Sequence, residues 1–278
     1  MAVMVVTDSS ARLDPDDLQQ WGIREVPLHV LVDGKDMRDG VDPVPYDVHD
    51  RAHATTAGAA PTDLAEAYRK ALAESGGDGV VAVHLSAALS STFSTAVGAA
   101  REFGAAVRVV NARSAAAGVG FVAVAAARSS AAGDDLDAVE AAARAAVPRG
   151  ASFIVVHRLD NLRRSGRIGT AASWLGTALS LKPLLCLDVD GRLVLSQRIR
   201  TVSKAHAAMV EAVAEFVGEH RASIVVHHVD NHDDADEVGA ALTARLPQIG
   251  SLAVSDMGPV LSVHVGAGAI GVCVTVDG

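Results

Sequence analysis

Short apolar runs alternate with helical stretches through the first 110 residues, and this alternation constrains the fold more than any other feature. The runs at 3–7, 79–84 and 107–110 have the length and composition of buried strands. Helical patterns at 61–74 and 90–103 lie between them. Because strands connected through helices usually pair in parallel, the sequence predicts a parallel sheet covered by helices.

The pattern changes around Pro148, which follows two alanine-rich helical stretches at 114–131 and 134–146. Beyond it the strands come closer together, and Asp190-Gly191 is typical of a hairpin turn. The predicted strands are 152–156, 183–188, 192–198, 223–228, 252–256, 261–264 and 271–276. Helices predicted at 201–219 and 233–245 remain to cover one face of this second, mixed sheet.

We therefore expect an α/β protein of two domains. Residues 1–150 form an N-terminal three-layer α/β/α domain with a parallel sheet, and residues 151–278 form a C-terminal two-layer α/β domain with a mixed sheet. A hydrophobic content of 50% in 278 residues is enough for a sizeable core. The sequence does not determine the oligomeric state.

The composition also argues against some functions and some cellular locations. A net charge of −9 and an aromatic content of 3% argue against nucleic-acid binding, which favours a basic face and stacking side chains. Residues 1–8 lack a basic leader, and the apolar run at 115–127 is shorter than the roughly 20 residues of a membrane span. We expect a cytoplasmic protein, with Cys186 and Cys273 as inert buried thiols.

His264 is the most informative single residue for function. We expect it at the end of the strand 261–264, followed by Gly266 and Gly268, which allow a ligand to approach the backbone. An imidazole there can donate a hydrogen bond to a carboxylate, although a structural histidine bonded to a neighbouring carbonyl is the alternative. The glycines also match a dinucleotide fingerprint, but only seven residues follow Gly271, so we expect no dinucleotide site.

Arginines gather in two segments of this otherwise acidic chain. Such side chains are either solvated surface residues or a patch that attracts phosphate or an acidic partner. They are Arg158, Arg163, Arg164 and Arg167 in one segment and Arg198 and Arg200 in the other.

Several spaced motifs resemble the DegV family over the full length of the chain. They occur in the family's order and are, by residue number, Val6 to Ser10 (VTDSS), Leu85 to Phe93 (LSAALSSTF), Leu162 to Gly169 (LRRSGRIG), Leu179 to Leu185 (LSLKPLL), Gly191 to Leu193 (GRL) and Gly258 to Gly271. The resemblance implies a carrier that holds one palmitate- or oleate-like fatty acid in a tunnel at the domain interface. The resemblance further implies that a separate fatty acid kinase phosphorylates the carboxylate to an acyl phosphate, and that the carrier itself has no catalysis and no cofactor.

Residue by residue, the resemblance assigns carboxylate binding to Thr56, Ser90 and His264, with Thr55 as a substitute for Thr56. Two hydroxyls and an imidazole are neutral donors, which suits a carboxylate that must later accept a phosphoryl group. The beginning of the helix predicted from Ser90 adds favourable potential for an anion, while a plain helix cap is the structural alternative for this serine.

The resemblance also assigns positions around the headgroup. Arg167 is expected near the mouth of the site, Arg200 on the surface facing the kinase, and Gly266 and Gly268 in the turn against the ligand. Transient contact with a membrane surface is part of this expectation. Asp8 and Ser9 are expected to cap and shape the floor of the site rather than to bind the ligand.

Two segments depart from the family pattern. Thr55 to Pro61 (TTAGAAP) stands where the family commonly has TTSQPSP, so a serine and a glutamine are lost. His264 to Gly268 (HVGAG) stands where the family has HTGPG, so a hydroxyl and a rigid proline are lost beside the histidine. These changes predict an altered headgroup geometry or ligand preference.

Two other functions have weaker support. Ser90, His264 and an aspartate form the set needed for a hydrolase of lipid-like esters, but no serine lies in a G-x-S-x-G elbow. The histidines and aspartates of 227–236 suggest a metal site without a spacing that fixes a tetrahedron, so we expect no metal. No lysine follows a G-x-x-x-x-G phosphate loop, so ATP is expected to be the partner's ligand.

Overall fold

A computed structural model describes residues 2–168 and 181–277. The motif residues Gly169, Leu179 and Ser180 lie outside the described residues. The chain divides into two units, the first made of Met1–Val44 and Thr56–Pro148 and the second of Pro45–Thr55 and Arg149–Gly278. The sequence places one boundary near 148–152, whereas in the structure an early segment, Pro45–Thr55, also belongs to the second unit.

The first unit contains seven labelled strands and five labelled helices within the described residues. The strands are β1 (Met4–Asp8), β2 (Arg24–Val26), β3 (His29–Val32), β4 (Lys35–Arg38), β5 (Thr55–Ala57, which begins on the last residue of the second unit's segment), β6 (Val80–His84) and β7 (Val107–Asn111). The helices are α1 (Pro15–Trp21), α2 (Pro61–Glu74), α3 (Thr92–Ala100), α4 (Ala117–Ala131) and α5 (Leu136–Ala146).

Four of these strands form the expected parallel sheet, in the order β2-β1-β6-β7. Helices α2 and α3 pack against each other, as do α4 and α5, and helices of both pairs contact the sheet. All five residues of β6 are buried, as is usual for a strand covered on both faces. The predicted parallel sheet and its helices are therefore confirmed.

A smaller sheet and helix α1 were not predicted from the sequence. Strands β3 and β4 form an antiparallel hairpin around Asp33-Gly34, both with positive φ, and β5 completes a three-stranded sheet. The strands are only three or four residues long, and β4 carries three charged side chains in four, so they lack the apolar signal of the main sheet. The Asp-Gly pair was the available turn signal.

The second unit contains six labelled strands and four labelled helices within the described residues. The strands are β8 (Gly150–Val155), β9 (Leu184–Leu187), β10 (Leu193–Gln197), β11 (Ala222–His228), β12 (Ile249–Asp256) and β13 (Ile270–Val276). The helices are α6 (Asp160–Arg164), α7 (Val202–Val217), α8 (His232–Arg245) and α9 (Pro259–Val265).

The six strands form one mixed sheet in the order β10-β9-β8-β13-β11-β12, in which only β11 and β12 pair in parallel. Buried side chains of α7 and α8, including Met209 and Leu242, pack on sheet residues such as Ile224 and Val272. This unit is thus a helical layer on a mixed sheet, and the predicted fold class is confirmed.

The strand predicted at 261–264 is wrong, because these residues lie in helix α9. Gly258, with φ of 78°, and Pro259 at the first helical turn start the helix, where proline costs no hydrogen bond. Val260 and Val263 are buried three residues apart on one helical face. The alternation of valines around Ser262 and His264 was too short to distinguish a period of 2 from one of 3.6.

Candidate functional site

Ser90 lies in the loop between β6 and α3, two residues before the helix rather than at its first residue as predicted. Its Oγ accepts a hydrogen bond from the Thr92 backbone N–H at 3.2 Å and lies 2.9 Å from Thr92 Oγ1. The loop is further closed by the Ser90 N–H, which donates to Ser86 O at 3.1 Å. Ser90 therefore has a cap-like contact at the start of α3 together with a hydroxyl partner.

The chain following Thr56 packs against this same corner. The Ala59 N–H donates to Thr92 Oγ1 at 3.3 Å, and a Cβ on Gly58 would lie only 2.6 Å from that oxygen. Gly58 therefore allows an approach that a side chain would block. Thr56 is half-buried and Thr55 is exposed. The structure thus brings the end of β5 alongside Ser90, as expected if both contribute to one site.

Thr92 also belongs to this corner, although no sequence pattern assigned it a role. It is fully buried and its Oγ1 joins Ser90 Oγ to the Ala59 backbone. A buried threonine at the first residue of a helix is an ordinary structural choice, so only its place in the LSSTF motif could have singled it out.

A fully buried polar chain lies at the carboxyl ends of β1 and β6. Asp8 Oδ2 accepts from the Leu85 N–H at 3.0 Å and lies 2.9 Å from His84 Nδ1, while His84 Nε2 lies 2.9 Å from the Tyr68 hydroxyl. Asp8 also caps the short helix Ser9–Ala11 through the Ser10 N–H, as predicted. Both ring nitrogens of His84 are engaged, so this imidazole offers no base to a serine.

Ser9 likewise has a structural role. Its Oγ donates to Asp39 Oδ2 at 2.8 Å and accepts from the Leu28 N–H at 3.0 Å. Nearby, burial and the Asp39 carboxylate raise the pKa of Glu25 to about 7. Ser9 and Asp39 are therefore joined by buried hydrogen bonds, and the Glu25 carboxyl near them has a pKa close to neutrality.

His264 lies in the last turn of α9, in the second unit. Burial, with a smaller contribution from the positive charge of Arg167, lowers the pKa of His264 to about 4. The imidazole is therefore neutral at pH 7, the state required of a neutral donor. Arg167 is half-buried and its Nη1 donates to Ser165 O at 2.6 Å. The positive charge of Arg167 thus acts on the His264 imidazole, and both are predicted headgroup residues.

Gly266 and Gly268 have φ near +78°, and both meet side chains of this unit. A Cβ on Gly266 would lie 3.2 Å from Asn161 Cγ, and one on Gly268 would lie 2.7 Å from His157 Cε1. Glycine is therefore required at both positions by backbone conformation and by packing. Their contact with a ligand stays a prediction.

Arg200 is exposed in the loop between β10 and α7, and Arg198 is exposed beside it. Of the other arginines of the predicted patch, Arg158 pairs with Asp160 at 3.1 Å, and Arg163 and Arg164 are exposed on α6. These positions leave the guanidinium groups at the surface, as a partner-facing role requires.

Two negative findings concern only the described ranges 2–168 and 181–277. No three His, Cys, Asp or Glu side chains converge there in a way that could hold a metal ion, and this includes the residues of 227–236. None of the helices in those ranges combines the length and the hydropathy of a membrane span.

A parallel sheet in one unit, a mixed sheet in the other, and neutral hydrogen-bond donors in both define a two-unit α/β protein. The model of the family described as "Uncharacterised protein, DegV family" matches residues 2–277. The chain therefore belongs to the DegV family, as its motifs indicated.

The relatives are similar over their whole length. A DegV domain-containing protein of Mycobacterium tuberculosis is 60% identical over 276 residues, which is 99% of this chain and 98% of the relative. The solved structure described as fatty acid binding of a DegV family protein from Thermus thermophilus matches with a TM-score of 0.93, 31% identity and 100% coverage of both chains. DegV of Bacillus subtilis, described as a fatty acid binding protein, matches with a TM-score of 0.88 and 26% identity, again over 100% of both chains.

Proposed function

We propose that this chain binds a single long-chain fatty acid in a buried tunnel and presents its carboxylate to a fatty acid kinase, which converts it to an acyl phosphate. The observation that carries the proposal is the full-length similarity to the T. thermophilus protein, whose structure is described as fatty acid binding. The neutral state of His264 and the hydroxyl pair of Ser90 and Thr92 support it chemically.

The carboxylate is held by donors that carry no full charge. Ser90, Thr56 or Thr55, and His264 donate hydrogen bonds to its oxygens. Each such bond contributes about 1 kcal/mol, more when the acceptor is charged. Neutral donors hold the anion without a fixed ammonium group, which would compete with the incoming phosphoryl group for the carboxylate oxygen.

The acyl tail supplies most of the affinity. At about 0.8 kcal/mol per buried methylene, a 16-carbon tail contributes roughly 10 kcal/mol before the entropy costs of binding. The headgroup donors then set the orientation. A palmitate- or oleate-like acid fits this division of roles.

The chemical step belongs to the kinase. A carboxylate oxygen attacks the γ-phosphorus of ATP, the bond from that phosphorus to the β,γ-bridging oxygen breaks, and ADP leaves with that oxygen. This chain keeps the carboxylate ionised, oriented and shielded from water, and supplies no nucleophile. Arg167 near the headgroup and the exposed Arg200 attract the phosphate groups or an acidic face of the kinase. The exchange takes place in the cytoplasm, with transient contact at a membrane surface to load or release the acid.

Lipid extraction from native protein tests the binding step. Mass spectrometry of the wild type should recover about one fatty acid per chain, and Ser90→Ala or His264→Ala should lower that amount. Thr243→Ala is a matched control, because its Oγ1 bonds only within α8, to Gly239 O. Repeated recovery of wild-type protein without lipid from several preparations would contradict the proposal.

A kinase assay tests the presentation step. With a bacterial fatty acid kinase and ATP, the loaded wild type should yield acyl phosphate, trapped with hydroxylamine as the acyl hydroxamate. Arg200→Gln should lower the rate at low salt while leaving lipid occupancy unchanged. Protein that carries lipid but yields no hydroxamate would agree with the proposed fatty-acid binding and would exclude the kinase partnership.

A further inference from the structure

The segment Pro45–Thr55 belongs to the second unit although it comes from the early part of the sequence. Its short helix Val48–Asp50 packs on α9, the helix that carries His264. His49 is 3% exposed, and its Nε2 lies 3.1 Å from Asp230 Oδ2 and 3.6 Å from Asp50 Oδ2. The segment is therefore held against the unit by a buried side chain and ends on Thr55.

Asn161 connects this segment to α9. Its Nδ2 donates to His49 O at 2.9 Å and to Val263 O at 3.1 Å. Val263 lies in the last turn of α9, where carbonyl groups have no partner within the helix, and it immediately precedes His264. One amide group thus joins the segment that ends on Thr55 to the turn that carries His264.

The side-chain amide of Asn161 packs closely against Gly266. A Cβ on Gly266 would lie 3.2 to 3.3 Å from the Cγ, Nδ2 and Oδ1 atoms of Asn161, and Gly266 has φ of 79°. Gly266 N–H closes the same helix end by donating to Ser262 O at 2.8 Å. The amide nitrogen carries two protons, one for each carbonyl, whereas an ionised aspartate of the same shape accepts and cannot donate.

We propose that Asn161 is a positioning residue for the headgroup site, fixing the Thr55 segment and the His264 turn relative to each other through its two hydrogen bonds. The inference rests on the proposed fatty-acid function. Holding donors before the ligand arrives lowers the ordering cost of binding, so loosening them weakens recognition of the headgroup more than of the tail.

The first test compares two ligands on three proteins. Palmitate and its methyl ester, which has the same tail without an ionised carboxylate, are titrated into wild type, Asn161→Ala and Ser262→Ala. Ser262 is the control because its Oγ bonds only within α9, to Pro259 O. We expect Asn161→Ala, which removes both hydrogen bonds without adding charge, to weaken palmitate about 10-fold, as for one or two lost hydrogen bonds, and the ester less than about 2-fold. Equal losses for both ligands, or no loss, would overturn the proposal.

The second test needs no ligand, so it separates this inference from the proposed function. The imidazole of His264 is titrated by NMR in wild type, Asn161→Ala and Ser262→Ala. Asn161→Ala removes both hydrogen bonds without adding charge, and should move the pKa of His264 from about 4 toward its ordinary 6.5 as water reaches the helix end. An unchanged pKa overturns the positioning role even if fatty acid binds, whereas a wild type that binds neither ligand overturns the proposed function alone.

Discussion

His264→Gln tests quantitatively whether the His264 imidazole is buried and neutral in the folded second unit. The folded state lowers the pKa of His264 from 6.5 to about 4, mainly through burial. A lowered histidine pKa means that the unfolded chain binds the proton more tightly. The contribution of the neutral His264 imidazole to the free energy of unfolding is therefore complete above pH 6.5 and is lost as the pH falls toward 4. Linkage sets the loss at about 2 kcal/mol between pH 7 and pH 4.5.

The assay is urea unfolding followed by circular dichroism at both pH values. Glutamine has no proton to take up in this range, so the stability difference between wild type and His264→Gln should shift by about 2 kcal/mol toward the variant at pH 4.5. His220→Gln replaces an exposed histidine of the same unit and should shift by less than about 0.5 kcal/mol. A difference for His264→Gln that is constant with pH would refute the claim that this imidazole is buried and neutral.

Three further predictions concern other described residues. Thr92→Val removes the hydroxyl shared by Ser90 and Ala59 and should weaken palmitate binding about 10-fold in a titration, whereas Thr92→Ser, which keeps a hydroxyl, should bind nearly as wild type. Burial raises the pKa of Glu25 to about 7, so the folded state holds the proton of this carboxyl more tightly and stability falls as the pH rises from 4.5 through 7. Glu25→Gln should therefore be about 3 kcal/mol more stable than wild type at pH 8 and equal to it at pH 4. A stability difference between variant and wild type that is the same at both pH values in denaturant titrations would contradict this. Gly268→Ala should lower stability by about 2 kcal/mol or more because a Cβ meets His157, while Gly218→Ala, at positive φ with open space, should cost about 1 kcal/mol in the same thermal scans.

The main sheets were predictable because their strands are long and apolar. Strands such as β6, with five buried residues, produce the signal that sequence patterns detect. The hairpin of β3 and β4 and the strand β5 were missed because short strands with charged residues depend on their neighbours rather than on their own composition. Helix α9 was mistaken for a strand because four residues cannot establish a period.

Motifs point to part of the candidate site, whereas contacts between residues far apart in the sequence leave no motif. Ser90, His264 and Arg167 were assigned to the site from motifs, and their role there stays a prediction. Asn161 and His49 are 112 residues apart, and His49 and Asp230 are 181 apart, counted from their numbers. A local sequence pattern does not reveal such contacts, because they form only when distant parts of the chain fold into the second unit.

Carbon-13 NMR of palmitate labelled at its carboxyl carbon shows whether Ser90 and His264 bind the carboxylate of the fatty acid. We expect one bound carboxyl resonance at one acid per chain, distinct from that of the free acid, and displaced in both Ser90→Ala and His264→Gln. A carboxyl resonance that stays at the free position, or that is the same in wild type and both variants, would contradict it.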